Sequence, residues 1–406
     1  MRRLGTTLAL SASVLLAALT PLAGCSDTSD GEPPSPLADG GPDASEPSAD
    51  AGGTDAAPYE WQLPPGFATP VVPADNPMTA EKVELGRRLF YDVRLSRNQT
   101  QSCASCHRQE IAFTDGRPHG IGATGAVHPR SSMSLANVAY ASTLTWGNPL
   151  LVELERQAQI PIFGEDPVEL GFTSTPELEA RIAAEPIYVD LFARAFPSAE
   201  PSITLDHLLK ALASFQRTLI SGRSPFDRWA HDRDESAMSA AAKRGYALFN
   251  AEKFECFHCH VGFLLTDHGT WEGKPFADRP YHNTGLYNID GSGGYPVPNT
   301  GIEGVTKTPR DMGRFKAPTL RNIAVTAPYM HDGSIATLEE VLDHYVAGGR
   351  TIASGPHAGN GSTNPYKDPL IVPLTVTSEE RADLIEFLRS LTDETFLTDP
   401  RFSNPW

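Results

Sequence analysis

Two short runs in this chain of 406 residues carry side chains that can do chemistry by themselves: Cys103-Ala-Ser-Cys106-His107 and Cys256-Phe-His-Cys259-His260. Both read Cys-x-x-Cys-His. In that order two thiols can add across the vinyl groups of a haem, and the adjacent histidine stands where it can ligate the iron. Three other readings compete. A redox Cys-x-x-Cys has no need of the histidine. A zinc site needs further ligands at finger spacing, and no more cysteines stand near either run. A structural disulfide is open to a chain outside the cytoplasm. The cysteine count favours haem. Of five cysteines, four make two attachments and the fifth is Cys25, near the N-terminus. His107 and His260 are then the proximal ligands of two covalent c-type haems.

The elements that must position these motifs are helical. Val83, Gly86, Leu89 and Phe90 share one helix face before the first motif, as Gly245, Leu248 and Phe249 do before the second. Both segments contain Gly-x-x-Leu-Phe. Each half closes with an apolar-periodic helix. The first spans about 203–220, with Leu205, Leu208, Leu209, Leu212, Phe215 and Leu219. The second spans about 378–391, with Leu384, Ile385, Phe387, Leu388 and Leu391. Between these landmarks Gly and Pro are dense and strand alternation is scarce. The expected fold is mostly α, with two cytochrome c-like domains over 59–230 and 231–406, each with one covalently bound c-type haem. Its long loops need something large to pack on, and a haem would serve.

At the N-terminus Arg2 and Arg3 precede an apolar stretch from Leu8 to Leu22, the order of a secretory signal. Leu22, Ala23, Gly24 and Cys25 resemble the bacterial lipobox. In that reading residues 1–24 are a lipoprotein signal peptide and Cys25 is lipidated. An ordinary cleaved signal with a chance cysteine is the alternative. Ser26 stands where the lipoprotein sorting signal for inner-membrane retention has Asp, so an outer-membrane anchor is expected. Export makes the body periplasmic or cell-surface, held to the membrane by lipid alone. Beyond this start no apolar run approaches the roughly 20 residues of a span. Residues 26–58 hold eight acidic residues and no basic one. Without aromatic or β-branched aliphatic side chains they lack the surface to fold, and 25–58 reads as a disordered acidic linker. The whole chain carries −17. Setting aside the two leader arginines and the eight linker acids leaves −11 on 59–406. That acidity argues against a nucleic-acid partner, which needs a basic face.

The run Phe315-Lys-Ala-Pro-Thr-Leu-Arg-Asn-Ile-Ala-Val-Thr-Ala-Pro-Tyr-Met-His-Asp-Gly-Ser334, with the two motifs, resembles the C-terminal signature of the di-haem cytochrome c peroxidase and MauG superfamily. The resemblance covers about residues 60–395. Within it the chain is most similar to MauG-like enzymes, and Leu144 to Gly171 resembles the MbnH branch linked to methanobactin operons. Members of that branch oxidise a tryptophan of a copper-binding partner to kynurenine.

The resemblance implies further site residues. The second haem takes a distal ligand from the helix after His331-Asp-Gly, and Tyr345 stands there, where peroxidases have methionine. An aromatic packed on the haem edge is the plainer reading, and Met330 is the rival ligand. His344 falls on another helix face. Gln157, Pro161 and Glu169 fall on the distal side of the first haem, with Glu169 placed to move a proton between peroxide oxygens. A loop glutamate at the surface is the alternative. The spacing from Pro161 to Glu169 is two residues longer than in standard peroxidases. His119 and His128 flank the loop Gly120–Arg130, neither at the spacing of the family's iron-blocking histidine. His128 is either a sixth ligand or a hydrogen-bonding or exposed residue. Trp146 is near the inter-haem tryptophan position, with a core tryptophan as alternative. Asn137, Thr326 and Pro328 match an inter-haem calcium site, the last two through backbone carbonyls. Phe254 replaces the surface tryptophan of MauG.

Three functions follow as expectations. In the first, hydrogen peroxide binds the His107 haem and Glu169 assists O–O cleavage. A high-valent di-iron-haem state forms across Trp146, and Tyr345 supports the second iron. The equivalents oxidise a protein partner, with a tryptophan of a secreted copper-binding protein becoming kynurenine. The second is a di-haem peroxidase fed by a small cytochrome or cupredoxin. The third is an electron-transfer cytochrome with both irons saturated.

Overall fold

Seven helices of nine or more residues carry most of the regular structure in residues 59–406, the part that this computed structural model describes. They are α1 (Ala80–Tyr91), α2 (Thr175–Ala183), α3 (Pro186–Ala195), α4 (Leu205–Arg217), α5 (Ala240–Phe249), α6 (Leu338–Val346) and α7 (Ser378–Arg389). The signal segment, Cys25 and the acidic linker lie outside the described residues. The only strands among the described residues are Thr351–Ile352 and Gly359–Asn360, an antiparallel pair. No helix among them is long and apolar enough to cross a membrane.

Hydroxyl side chains start the helices that matter most. Thr79, Thr204, Ser239, Thr337 and Thr377 cap α1, α4, α5, α6 and α7 by accepting a backbone N–H of the first turn. Each such cap stabilises its helix by about 1 kcal/mol. Thr337 and Thr377 form capping boxes with Glu340 and Glu380.

The two Gly-x-x-Leu-Phe segments play matching parts. α1 crosses α4, and α5 crosses α7. A Cβ added at Gly86 would lie 1.9 Å from the Ala211 carbonyl oxygen. One at Gly245 would lie 1.9 Å from the Asp383 carbonyl oxygen. In each pair a phenylalanine four residues on, Phe215 or Phe387, sits against the same glycine. Only glycine permits helices to meet backbone to backbone in this way.

Two apolar clusters grow from these crossings. The first joins Leu85, Leu89, Phe90, Leu208, Leu212 and Phe215. The second joins Phe249, Leu338, Leu384, Ile385, Phe387 and Leu388, with Trp146 packed against it. After α7 the chain returns to the first cluster, where Phe396, Leu397 and Phe402 are buried. Gln109 ties this return by donating to the carbonyls of Phe396 (3.1 Å) and Asp399 (2.9 Å).

A second repeat involves asparagine. Asn137 and Asn322 both take positive φ, 62° and 61°, which asparagine tolerates better than most residues. Asn137 accepts from Ser221 N–H and donates to Ser221 O, both at 2.9 Å. Asn322 accepts from Asp393 N–H at 2.8 Å and donates to Ser221 Oγ at 2.9 Å. Each asparagine thus fastens the chain just after its half's last long helix. The signature run is anchored at Arg321, fully buried against Asp227.

Gly86→Ala and Gly245→Ala should each destabilise the haem-loaded protein by about 1–3 kcal/mol, the usual cost of overpacking. The obstructing atom is backbone and cannot swing aside, so the upper end is expected. Urea unfolding followed by far-UV circular dichroism measures it. Wild-type midpoints in both variants would show that these crossings are looser than described.

Candidate active site

Each Cys-x-x-Cys-His run is a single helical turn, over Cys103–Cys106 and Cys256–His258. The histidine N–H closes the turn on the first cysteine carbonyl at 3.0 Å in both. The imidazoles are then oriented from behind. His107 Nδ1 donates to Phe113 O at 2.8 Å, and His260 Nδ1 to Leu265 O at 3.2 Å. Both accepting residues have positive φ, 60° and 52°. A non-glycine residue bears about 1–2 kcal/mol for this conformation. The arrangement leaves Nε2 of each histidine as a free lone pair, as an iron ligand requires. Burial lowers both imidazoles from their ordinary pKa, keeping them neutral.

The four cysteines are free, so no disulfide joins either pair. Burial pushes the Cys103 thiol up to about 12, Cys106 to about 11 and Cys256 to about 12. Thiols so held are poor thiolates, unlike those of a redox pair. The donor set and the large apolar cavities beside it fit covalent haem.

The first cavity is lined by Cys103, Cys106 and His107, and by Gln157, Pro161, Glu169, His128 and Trp146. Gln157 and Pro161 sit in successive turns, Leu154–Gln157 and Gln159–Phe163. A fork holds this wall: Arg217 on α4 donates to both oxygens of Glu155, at 2.9 and 3.0 Å. The pair is largely buried. Burial alone would raise the Glu155 carboxyl, but hydrogen bonding and charge from Arg217 outweigh it and hold it low. The longer loop after Pro161 closes where Leu170 N–H donates to Pro161 O at 2.8 Å. Gly122 presses on it, since a Cβ there would be 1.9 Å from Val168 O. Burial pushes the Glu169 carboxyl up to about 7.

The second cavity is lined by Cys256, Cys259, His260, Tyr345, Met330 and again Trp146. Tyr345 projects from α6 close to both cysteines, and burial raises its phenol. His344 is buried but is not part of this lining, and neither of its ring nitrogens has a partner. Phe254 is buried, with Lys253 over its ring.

Trp146 borders both cavities, with Nε1 donating to Ser131 O at 2.9 Å. Asn137, Thr326 and Pro328 line a third cavity that Trp146 also borders. No carboxylate lines it, whereas Lys316 and Arg321 do. A calcium ion there would rest on neutral oxygens and water alone.

Three features escaped sequence reasoning. The Glu155–Arg217 pair joins residues 62 apart without pattern. Lys316, inside the signature run, is buried and donates to Thr143 O at 2.5 Å. Burial lowers its ammonium to about 8. His282 lies between Asp267 (2.7 Å) and Asp368 (2.9 Å), beside Cys259. Burial would lower this imidazole, but the two carboxylates outweigh it and push it up to about 12.

A helical body with two Cys-x-x-Cys-His turns, whose cavities share one bordering tryptophan, has the features of a c-type cytochrome with two centres. Residues 80–235 match the family model described as di-haem cytochrome c peroxidase. Methylamine utilization protein MauG of Methylorubrum extorquens is 38% identical over 324 residues, 79% of this chain and 81% of that one. Cytochrome-c peroxidase IdrP1 of Denitromonas iodatirespirans is 36% identical over 364 residues, 85% of this chain and 92% of that one. A crystal structure of a MauG-like protein associated with microbial copper homeostasis is 50% identical with a TM-score of 0.84, covering 86% of this chain and 99% of that one. The chain belongs to the di-haem cytochrome c peroxidase and MauG family of peroxide-dependent haem enzymes.

Glu155→Ala should cost about 3–5 kcal/mol, because it leaves Arg217 buried and unpaired. The Glu155 carboxyl is held below its ordinary value of 4.5. Its stabilisation is therefore complete above that pH and lost as pH falls through the lower folded value. Unfolding of wild type and variant at neutral and acid pH checks both points. A gap that does not shrink in acid would show that the ion pair is not its source.

Proposed function

We propose that the chain carries two covalent c-type haems, one at each Cys-x-x-Cys-His, and uses hydrogen peroxide to oxidise a protein partner. A haem bound in this way supplies iron that binds peroxide and stores oxidising equivalents. The remaining work falls to the chain. His107 and His260, fixed through Nδ1, present Nε2 to the irons. Glu169 takes a proton from the proximal peroxide oxygen and returns it to the distal one. Gln157 and Pro161 complete that wall. Trp146 couples the two centres, and Tyr345 ligates the second iron. A single calcium ion in the cavity of Asn137, Thr326 and Pro328 belongs to the same reading. So does export, with a lipid at Cys25 as the outer-membrane anchor and two cytochrome c-like domains behind it.

The observation that carries this reading is Tyr345, half-buried in the lining of the second cavity beside both cysteines. A phenolate favours oxidised iron, whereas a thioether favours reduced iron. The copper-homeostasis association of the 50%-identical relative supports a copper-binding partner; that this partner is secreted and that its tryptophan becomes kynurenine belong to the same proposal. A second reading rests on Met330, which lines the same cavity. With that thioether as ligand, the enzyme would reduce peroxide using electrons from a small cytochrome or cupredoxin.

Glu169→Gln should leave both haems bound and slow the peroxide reaction by roughly 10²–10⁴-fold. The working form of Glu169 is the carboxylate, and its pKa is pushed up to about 7. The wild-type rate should therefore rise with pH through about 7, and the variant's should not. Stopped-flow spectra against pH decide; a pH step that survives in the variant belongs to another group.

Tyr345→Met separates the two readings. The potential of the second haem should rise, and tryptophan oxidation in the partner should fall. Electron delivery from a small donor should persist. Redox titration and mass spectrometry of the partner after peroxide provide the measurement. Wild-type potential and product yield together would remove Tyr345 as a ligand.

A further inference from the structure

Resting on the peroxide reading above, we propose that Trp229, reached through Tyr246, is where electrons from the partner's tryptophan enter this chain. The partner is a protein, so its tryptophan meets the molecule at the surface. His260 stands in the lining of the second cavity. Charge has to cross between the two places. Saturated side chains carry it poorly, whereas indole and phenol rings give up and regain single electrons.

A line of rings joins the two places. The His260 imidazole lies 6.5 Å from the Phe249 ring, centre to centre. Phe249 lies 5.1 Å from Phe387, and Phe387 lies 5.4 Å from Tyr246. Tyr246 lies 5.4 Å from Trp229, edge to face. These are the separations of aromatic rings in contact. Gly245 makes the line possible, because its missing side chain lets Phe387 press against α5 beside Tyr246. Phe249 and Phe387 are buried and bridge the inner stretch. Tyr246 and Trp229 are half-buried, so the line ends where a partner can reach it.

The outer end suits reversible oxidation. Trp229 Nε1 donates to Glu235 Oε2 at 3.2 Å. An indole that has lost an electron is a far stronger acid, so its proton shifts to this carboxylate and returns with the next electron. Lys243 stands 5.9 Å over the same ring, and its charge opposes the loss. The carboxylate is in direct hydrogen-bond contact, and the closer charge has the larger effect.

Other surface rings do not offer this combination. Trp61 pairs with Tyr59, Trp406 with Tyr188 and Trp271 with Phe263. Among the described residues no line of ring contacts continues from these to His107 or His260. Tyr91 touches Phe90, which lines the first cavity, but its hydroxyl donates to Phe402 O at 2.7 Å. A backbone carbonyl cannot keep the proton that a phenol sheds on oxidation, and burial pushes this phenol up to about 12.

The electrons and protons balance. Each peroxide takes two electrons and two protons to become two waters, so Trp229 passes two electrons inward, one at a time. A partner tryptophan that loses two electrons and gains the oxygen of one water releases two protons.

The test mixes the haem-loaded enzyme with an equal amount of hydrogen peroxide, without partner, and freezes it rapidly for electron paramagnetic resonance. A tryptophan radical should appear, with a line that narrows when the protein carries ring-deuterated tryptophan. The signal should be lost in Trp229→Phe, weakened in Tyr246→Phe and kept in Trp271→Phe. Tyr246→Phe preserves the ring packing, so a merely structural role would leave the signal alone. Glu235→Gln keeps a hydrogen-bond acceptor but no proton acceptor, and the radical should change its line shape. After excess peroxide, peptide mass spectrometry should place oxygen adducts on Trp229. A signal that survives Trp229→Phe, or stays at full strength in Tyr246→Phe, overturns the proposal. So do adducts that gather on Trp61, Trp271 or Trp406 and spare Trp229. If peroxide leaves the visible spectrum of the wild type unchanged, the peroxide reading fails first and the route fails with it. A spectrum that changes with no radical at Trp229 overturns the route alone.

Discussion

The structure depends on two places where helices touch without side chains between them. At Gly86 and Gly245 the helix before each motif lies directly on a carbonyl of its half's last long helix. That closeness buries Leu89 and Phe90 in one half and Phe249 in the other. It also fixes where each helix delivers the chain to its cysteine turn. A bulkier residue would push the helix off its partner and move the wall of the cavity. The described residues have few strands and many loops, so these two crossings are the close helix contacts that set the distances.

The repeat extends further than the motifs. Positive-φ residues at Phe113 and Leu265 turn a carbonyl toward the imidazole in each half. Asn137 and Asn322 fasten the chain after the final helix of each half. This second pair bears on the calcium reading of Asn137. Asn322 performs the same fastening with no cation role assigned to it. The position of Asn137 is therefore accounted for by Ser221 alone, and any cation is an added use of an existing turn. Trp146 borders both cavities and so stands between the two halves of the repeat.

Much of this was legible because it is periodic or motif-like. The Cys-x-x-Cys-His turns and the two Gly-x-x-Leu-Phe segments are local patterns, and the helices expected near 203–220 and 378–391 appear as Leu205–Arg217 and Ser378–Arg389. The grouping of Gln157, Pro161 and Glu169 around the first cavity was reachable only through family resemblance, since no spacing rule joins them. Three things had no signal. The return of Phe396 to Phe402 into the first cluster looks like an ordinary chain end. The His282 bridge joins Asp267 and Asp368 across 15 and 86 residues. The pressure of Gly122 on Val168 looks, in sequence, like one glycine of a flexible loop. Each is a contact between distant segments whose residue types are common everywhere.

Glu155 and Glu169 show why position in the chain does not decide the role of a carboxylate. They lie in one segment, fourteen residues apart; Glu169 lines the first cavity, and Glu155 sits in the turn that supplies Leu154 and Gln157 to that lining. Glu155 meets the two-pronged guanidinium of Arg217 and an amide N–H of Asn76, so it is held ionised and supports the wall. Glu169 has no such cation. Its nearest titratable neighbour is a histidine that burial keeps neutral, and burial raises its own pKa to about 7. A carboxyl that burial raises toward neutral pH can both take and return a proton there, whereas one held in an ion pair stays ionised. At the end of the loop from Pro161 to Glu169, no arginine or lysine among the described residues pairs with Glu169, and burial alone sets its carboxyl high.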